Sequence, residues 1–264
     1  MKAKCLLIGI AILFVAGALA NSSHARIDLK TCVGMWLFDE GRGEVTIDDS
    51  ANKYDGTLQN GTEWTEGRFG EALQFDGSDD YVDVGNADNL SITGDFTFSM
   101  WVNISAYPIS WQNMLSKLVD DTHAEFNFRY KNSTAAQFYF GSGAAAVICN
   151  WNPSEDLPLD TWTHIAGVRK SKTYLKLYFD GVEKRTANIT TDAIATDANV
   201  TIGRQSNANG FFFEGIIDEV AIFNAALEEE DIKDLMNKGL KESINPSAVD
   251  PSGKLASTWA ALRK

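Results

Sequence analysis

Hydrophobic and polar residues alternate through residues 96–102. Phe96, Phe98, Met100 and Val102 fall on one side of an extended chain and Thr97, Ser99 and Trp101 on the other. Successive strand side chains project to opposite faces, so the run predicts a half-buried β-strand. The same period of two fits residues 124–130, 137–140, 163–168 and 175–179. Between the last of these and a polar strand at 183–188 stands Asp180-Gly181. That pair predicts a two-residue hairpin, because glycine tolerates the positive φ the turn requires. Short strands punctuated by Gly, Asn and Asp run from Thr31 to Asn224. They predict an all-β sandwich or barrel rather than alternating strands and helices. No segment repeats, so the chain reads as one copy of one domain.

Beyond Asn224 the period changes. Ile232, Leu235, Met236 and Leu240 share one side of a helix predicted over 227–240. Its first turn carries Glu228, Glu229, Glu230 and Asp231, where negative charge suits the helix dipole. Residues 241–264 are a linker with Pro246, Pro251 and Gly253, followed by a short amphipathic tail from Lys254 to Lys264. The tail's Leu255, Trp259 and Leu262 either dock on the sandwich or bind something else. At the other end, Lys2 and Lys4 precede an apolar run over 5–20 that closes on Ala18-Leu19-Ala20. This predicts a signal peptide at 1–20, with Ser23-His24-Ala25 as an alternative cleavage site after 25, and hence a secreted protein: extracellular, periplasmic or at the cell surface. The other reading of the run is a membrane anchor, for which it is short. No later segment is apolar enough to cross a bilayer.

Charge narrows the partners. The chain carries −13, and loss of Lys2 and Lys4 with the signal makes it −15. Such a surface repels phosphate backbones, which argues against nucleic acid and anionic lipid and is compatible with calcium, neutral glycans or basic protein surfaces. Two cysteines follow the signal, Cys32 and Cys149. In an oxidising compartment they form either a disulfide or two separate buried thiols. Catalytic patterns are scarce. No Glu-x-Asp-x-x-Glu string delivers paired carboxylates from one strand, and Asp218-Glu219, being adjacent, should face opposite ways on a strand. His164 reads as a strand residue rather than a base, and no nucleophile elbow, phosphate loop or zinc motif occurs.

Several motifs together resemble a known family. Residues 34–43 (Gly-Met-Trp-Leu-Phe-Asp-Glu-Gly-Arg-Gly) look like its opening strand and turn, and 49–58 (Asp-Ser-Ala-Asn-Lys-Tyr-Asp-Gly-Thr-Leu) its Asp-Ser-Gly-Asn-Gly loop. Phe75-Asp76-Gly77, running on to Tyr81-Val82, matches its Phe-Asp-Gly motif. The runs 95–102, 162–166, 177–181, 213–223 and 226–232 follow in the order of its later strands and closing helix. The chain therefore resembles the LamG-like jelly rolls of the concanavalin A-like lectin/glucanase superfamily. The resemblance implies an antiparallel jelly-roll β-sandwich over 31–240 with a short C-terminal helix. It also implies a non-catalytic binding or adhesion module for carbohydrate or an extracellular protein, the alternatives being a structural surface component or a glycan-active enzyme.

A structural calcium site is implied as well, joining the loop residues Asp49, Asn52 and Asp55 to Asp218 of the closing strand, since a hard cation gathers carboxylate and amide oxygens. Ala51 and Lys53 stand where the family usually has glycine, and a plainer reading gives these aspartates only Asx-turns. Asp76, Asp79 and Asp80 are read as shaping a turn. For ligand contact, Trp111, Trp151 and Phe211 lie in or beside loops where a ring could stack on a sugar. Trp36, Trp64, Trp101 and Trp162 are assigned to packing.

Overall fold

The computed structural model describes residues 27–152, 156–207 and 210–244; the predicted signal peptide and the tail beyond Ile244 lie outside the described residues. The first strands are short: β1 (Cys32–Trp36), β2 (Val45–Thr46), β3 (Gly56–Gln59), β4 (Glu63–Glu66), β5 (Glu71–Asp76) and β6 (Tyr81–Gly85). Longer ones follow: β7 (Phe96–Ile104), β8 (Gln112–Asp120), β9 (His123–Lys131), β10 (Ala135–Gly141) and β11 (Ala146–Trp151). The chain continues with β12 (Trp162–Lys170), β13 (Tyr174–Phe179), β14 (Val182–Asn188), β15 (Val200–Ile202), β16 (Glu214–Phe223) and helix α1 (Glu229–Ile244).

Two antiparallel sheets pack face to face. The first runs β14-β13-β12-β7-β16-β5-β4, with β1 also paired to β16, and the second β11-β10-β9-β8-β15-β6-β3-β2. The alternation read from the sequence decides what lies between them. Phe96, Phe98, Met100 and Val102 of β7 meet Phe126, Phe128, Tyr130, Phe138 and Phe140 of the second sheet. Phe96 stacks on Phe126 at 4.5 Å between ring centroids, and Phe98 meets the edge of Phe138 at 5.2 Å. The Asp180-Gly181 hairpin forms as expected, with φ of 47° and 70° at its two central residues.

One expectation changes. β7 is buried on both faces rather than one, because α1 lies across the outer face of the first sheet and covers it. Ile232, Leu235, Leu240 and Ile244 of the helix pack there against Met35, Leu37, Ala166, Val168 and Tyr178. A third layer thus turns a two-sided strand into an interior one, which local sequence cannot show. The helix also runs four residues further than predicted, kinking at Gly239 (φ 76°), and Met236 is only half-buried beside the hairpin glycine Gly181. No helix among the described residues is long and apolar enough to cross a membrane.

Candidate functional site

The inward residues of β9 and β10 are apolar, so period two sends the residues between them to the outward face of the second sheet. Strand register then aligns Asn113, Arg129, Gln137 and Asn150 in one row across β8, β9, β10 and β11. Ser116, Asn127, Tyr139 and Ile148 form a second row beside it. Three members of the first row are bonded in sequence: Arg129 Nε donates to Gln137 Oε1 at 2.9 Å, and Gln137 Nε2 to Asn150 Oδ1 at 2.7 Å. Asn113 Nδ2 donates to Asn127 Oδ1 (3.1 Å) and Gln205 Oε1 (3.3 Å).

Arg129 is the centre of this face. Its guanidinium lies 4.5 Å from the Trp111 ring and 4.6 Å from the Tyr139 ring, a cation held between two aromatic faces. Asp121 stands 3.5 Å from it and accepts a 2.7 Å hydrogen bond from the Tyr139 hydroxyl. Burial pushes the Tyr139 phenol well above its ordinary range, so it acts as a neutral donor. Arg129 and Tyr139 are buried and form a framework, whereas Trp111 and Gln137 are half-buried and Asp121 and Asn150 exposed. Asn113 Oδ1 and Asn127 Nδ2, both buried, have no hydrogen-bond partner among the described residues.

Of the three aromatics singled out from sequence, Trp111 belongs to this face. Phe211 adjoins it: its carbonyl accepts from Asn113 N at 2.9 Å, and its ring is 38% exposed on a backbone with φ of 58°. Trp151 does not project here. It packs against the main core and donates through Nε1 to Asp156 Oδ2 at 3.0 Å. Arg129, Gln137, Asn150 and Tyr139 were missed, although their signal was available as the polar positions of the alternating strands.

The residues assigned to a calcium site do not meet. Asp218 is fully buried in β16, and its Oδ2 accepts the backbone amides of Arg68 (2.8 Å) and Phe69 (2.9 Å). Burial, with Glu219 alongside, pushes its carboxyl up to about 8. Asn52 Oδ1 accepts from Asn89 Nδ2, and Asp55 Oδ1 from Asp48 N, while Asp49 lies exposed on the surface. The carboxylates of Asp49, Asp55 and Asp218 are thus not among those that converge in the described residues. The loop is organised instead by Asp48, which the sequence reading passed over. Its buried carboxylate accepts from the backbone of Met35, Ser50 and Tyr54 and from the Ser50 hydroxyl, all at 2.8 Å. Lys53, at φ 59°, donates through Nζ to the Asp48 carbonyl at 3.2 Å, while Ala51 keeps a negative φ. Among the described residues the carboxylates that converge within 4.8 Å are those of Asp76, Asp79 and Asp80. There Asp76 Oδ1 accepts from Ser78 N and Asp80 Oδ2 from Asp76 N, as in a turn.

Two further expectations are corrected. Cys32 and Cys149 are free thiols, not a disulfide: Cys32 is buried under α1, and Cys149 lies in the core between the sheets, so the first sheet separates them. Burial pushes each thiol up to about 12. Asp218 and Glu219 do not face opposite ways, because a bulge in β16, with Glu219 at φ 53°, turns both toward the outer face. There Glu219 Oε2 accepts the Leu240 amide at the kink of α1. Ser99 Oγ and His164 Nε2 stand 2.8 Å apart, the distance of a nucleophile and its base. Both are sealed beneath the helix layer, and burial lowers His164 to about 3, with no partner on Nδ1 among the described residues. His164 is the strand residue that the sequence suggested.

The family model for the concanavalin A-like lectin/glucanases superfamily (Laminin_G_3) matches residues 76–233, more than half of the chain. The chain belongs to this family. The motif resemblance is thus borne out, although the motifs at 34–43 and 49–58 precede the matched residues. Among solved structures, domain 4 of AbnA, an extracellular arabinanase from Geobacillus stearothermophilus, superposes with a TM-score of 0.62 at 20% identity, covering 78% of this chain and 98% of that one. The binding domain of Paraclostridial Mosquitocidal Protein 1 gives 0.65 at 14% identity, and the binding domain of botulinum neurotoxin serotype D 0.63 at 14%. Each alignment covers 80% of this chain but spans only about half (52%) of the toxin domain. At these identities the likeness shows the shared fold. No curated protein matches the sequence.

Proposed function

We propose that this protein is a secreted, non-catalytic binding module that takes a neutral glycan on the outward face of its second sheet. The observation that carries the reading is the bonded row Arg129–Gln137–Asn150, with Asn113 in register beside it and the half-buried ring of Trp111 over Arg129. Sugar recognition needs an aromatic surface for the ring face and amide groups that pair with hydroxyls as both donor and acceptor. This face supplies both, and the unmet Asn113 oxygen and Asn127 nitrogen cost stability that packing alone would avoid. The Arg129 charge is already matched by Asp121, and the chain is acidic overall, which favours uncharged ligands. Fold neighbours support a binding role: the arabinanase domain was solved with arabinotriose, and cell entry of botulinum neurotoxin type C depends on two ganglioside molecules.

An extracellular protein is the second reading, favoured by Ile109, which is 94% exposed two residues before Trp111, and by the exposed ring of Phe211. A screen of neutral and anionic glycans and extracellular proteins separates the two. Neutral oligosaccharides are expected to bind, and Trp111→Ala or Asn150→Ala to weaken them at least about tenfold, ~1.4 kcal/mol, with the circular dichroism unchanged. Binding of proteins alone gives the face to the second reading. Release of reducing ends from a bound polysaccharide would overturn the non-catalytic assignment.

A further inference from the structure

The sandwich carries a second concave feature on the opposite side. A groove of about 510 Å³ runs between β1, the turn at 67–70 and the C-terminal half of α1. Met35, Leu37 and Phe69 line it with apolar surface, and Asp39, Asp49 and Glu242 stand at its edge. A smaller hollow of about 300 Å³ shares Met35 and Asp49 with it and extends the groove to Ile244, where the described helix ends. Lys238 and Lys241 also line the groove and Lys53 the hollow, so the charge along them is mixed.

We propose that this groove is the docking site of the chain's own C-terminal segment, residues 254–264. Three observations support that occupant. Its sequence places Leu255, Trp259 and Leu262 at the i, i+4, i+7 spacing of one helix side, and so short a helix is marginal in water unless that side is covered. Its charges are Lys254, Arg263 and Lys264 with no acid, in a chain that is otherwise strongly acidic. They can pair with Asp39, Asp49 and Glu242 of the lining. The connection also reaches: the groove begins at Ile244, and residues 245–253 span up to about 30 Å when extended, far enough to run its length in either direction. The groove faces away from the polar row of the second sheet, so docking there leaves the proposed glycan face open.

Zero-length carbodiimide cross-linking of the whole mature protein, read by mass spectrometry, tests this. Amide links are expected from Lys254 or Lys264 to Asp39, Asp49 or Glu242 within monomers. Trp259→Ala is expected to remove them while the strand-rich circular dichroism persists, since the substitution lies outside the sandwich. Links from the tail to other surfaces, or none, would overturn the assignment. So would links that join isotopically mixed chains only, which would give the groove to a second copy. Glycan binding is expected to be the same in wild type and Trp259→Ala, so failure here is distinguishable from failure of the glycan reading.

Discussion

Charge is buried at two places in the sandwich and handled differently at each. At the rim between β8, β9 and β12, Lys117 and Glu125 lie 3.6 Å apart with no exposed side-chain surface. Glu125 also accepts from Ser91 Oγ, Ile92 N and Thr196 N, and Lys117 donates to Asn86 Oδ1 and the Ala198 carbonyl. Arg169 completes the network, donating to the carbonyls of Ile92, Gly94 and Glu125 and lying over the rings of Phe96 and Phe140. At the bulge of β16, Asp218 and Glu219 are equally buried but make no ion pair among the described residues. Their hydrogen bonds go to backbone amides, and Asp218 Oδ1 has no partner among the described residues. Burial raises these two carboxyls to about 8 and about 7. At the bulge desolvation outweighs the amide donors, and no cation offsets it among the described residues.

The largest expected effect breaks the paired side of this contrast. Glu125→Ala leaves Lys117 buried without its counter-charge and releases the 91–92 and 196 backbone, which should cost about 3–5 kcal/mol in urea unfolding. A loss under about 1 kcal/mol would mean that water already reaches the rim.

The unpaired side is probed by pH. Because Asp218 and Glu219 titrate higher in the folded than in the unfolded chain, the folded state holds protons that the unfolded chain has released. Their contribution is whole below about pH 4 and is lost as pH rises through 7 and 8. Moving from pH 5 to 8.5 is expected to lower the unfolding free energy, with a slope of at most about 1.4 kcal/mol per pH unit for each carboxyl. Asp218→Asn with Glu219→Gln should flatten the melting-temperature profile over that range, and an unchanged slope would assign it to surface charge instead. The smallest effect is none: excess reductant should leave the melting temperature unchanged, and both Cys32 and Cys149 should take a thiol label once the chain is denatured without reductant.

The two regions also differ in how far the sequence announced them. Glu125 sits at a polar position of an alternating strand, but nothing in that strand names Lys117 of the neighbouring strand, Arg169 of the facing sheet or Thr196 of a loop as its partners. Asp218 was legible as a residue of the closing strand and was assigned an ion on the strength of resemblance. The bulge that turns Glu219 to the same side, and the turn whose amides meet Asp218, depend on one positive φ and on a loop some 150 residues away in the chain. The polar row of the candidate site lies between these cases. Arg129, Gln137 and Asn150 are each visible as outward positions, but their alignment follows from strand register, which pairs β8 with β9 and β10 with β11.

Local chemistry determined what needs only neighbours along the chain. Period-two alternation set the strands, Asp180-Gly181 set its hairpin, and the ordered motifs from Trp36 to Phe223 set the family, because each is a property of backbone preference and of apolar residues seeking one face. Tertiary structure decided the rest. Only packing could cover the outer face of β7 with α1, keep Cys32 and Cys149 on different sides of a sheet, close Asp218 against backbone amides, and align four polar side chains from four strands with Trp111 over the arginine among them. Those outcomes depend on which distant segments come into contact, and contact between distant segments is fixed by the burial of the whole core rather than by any one stretch of residues.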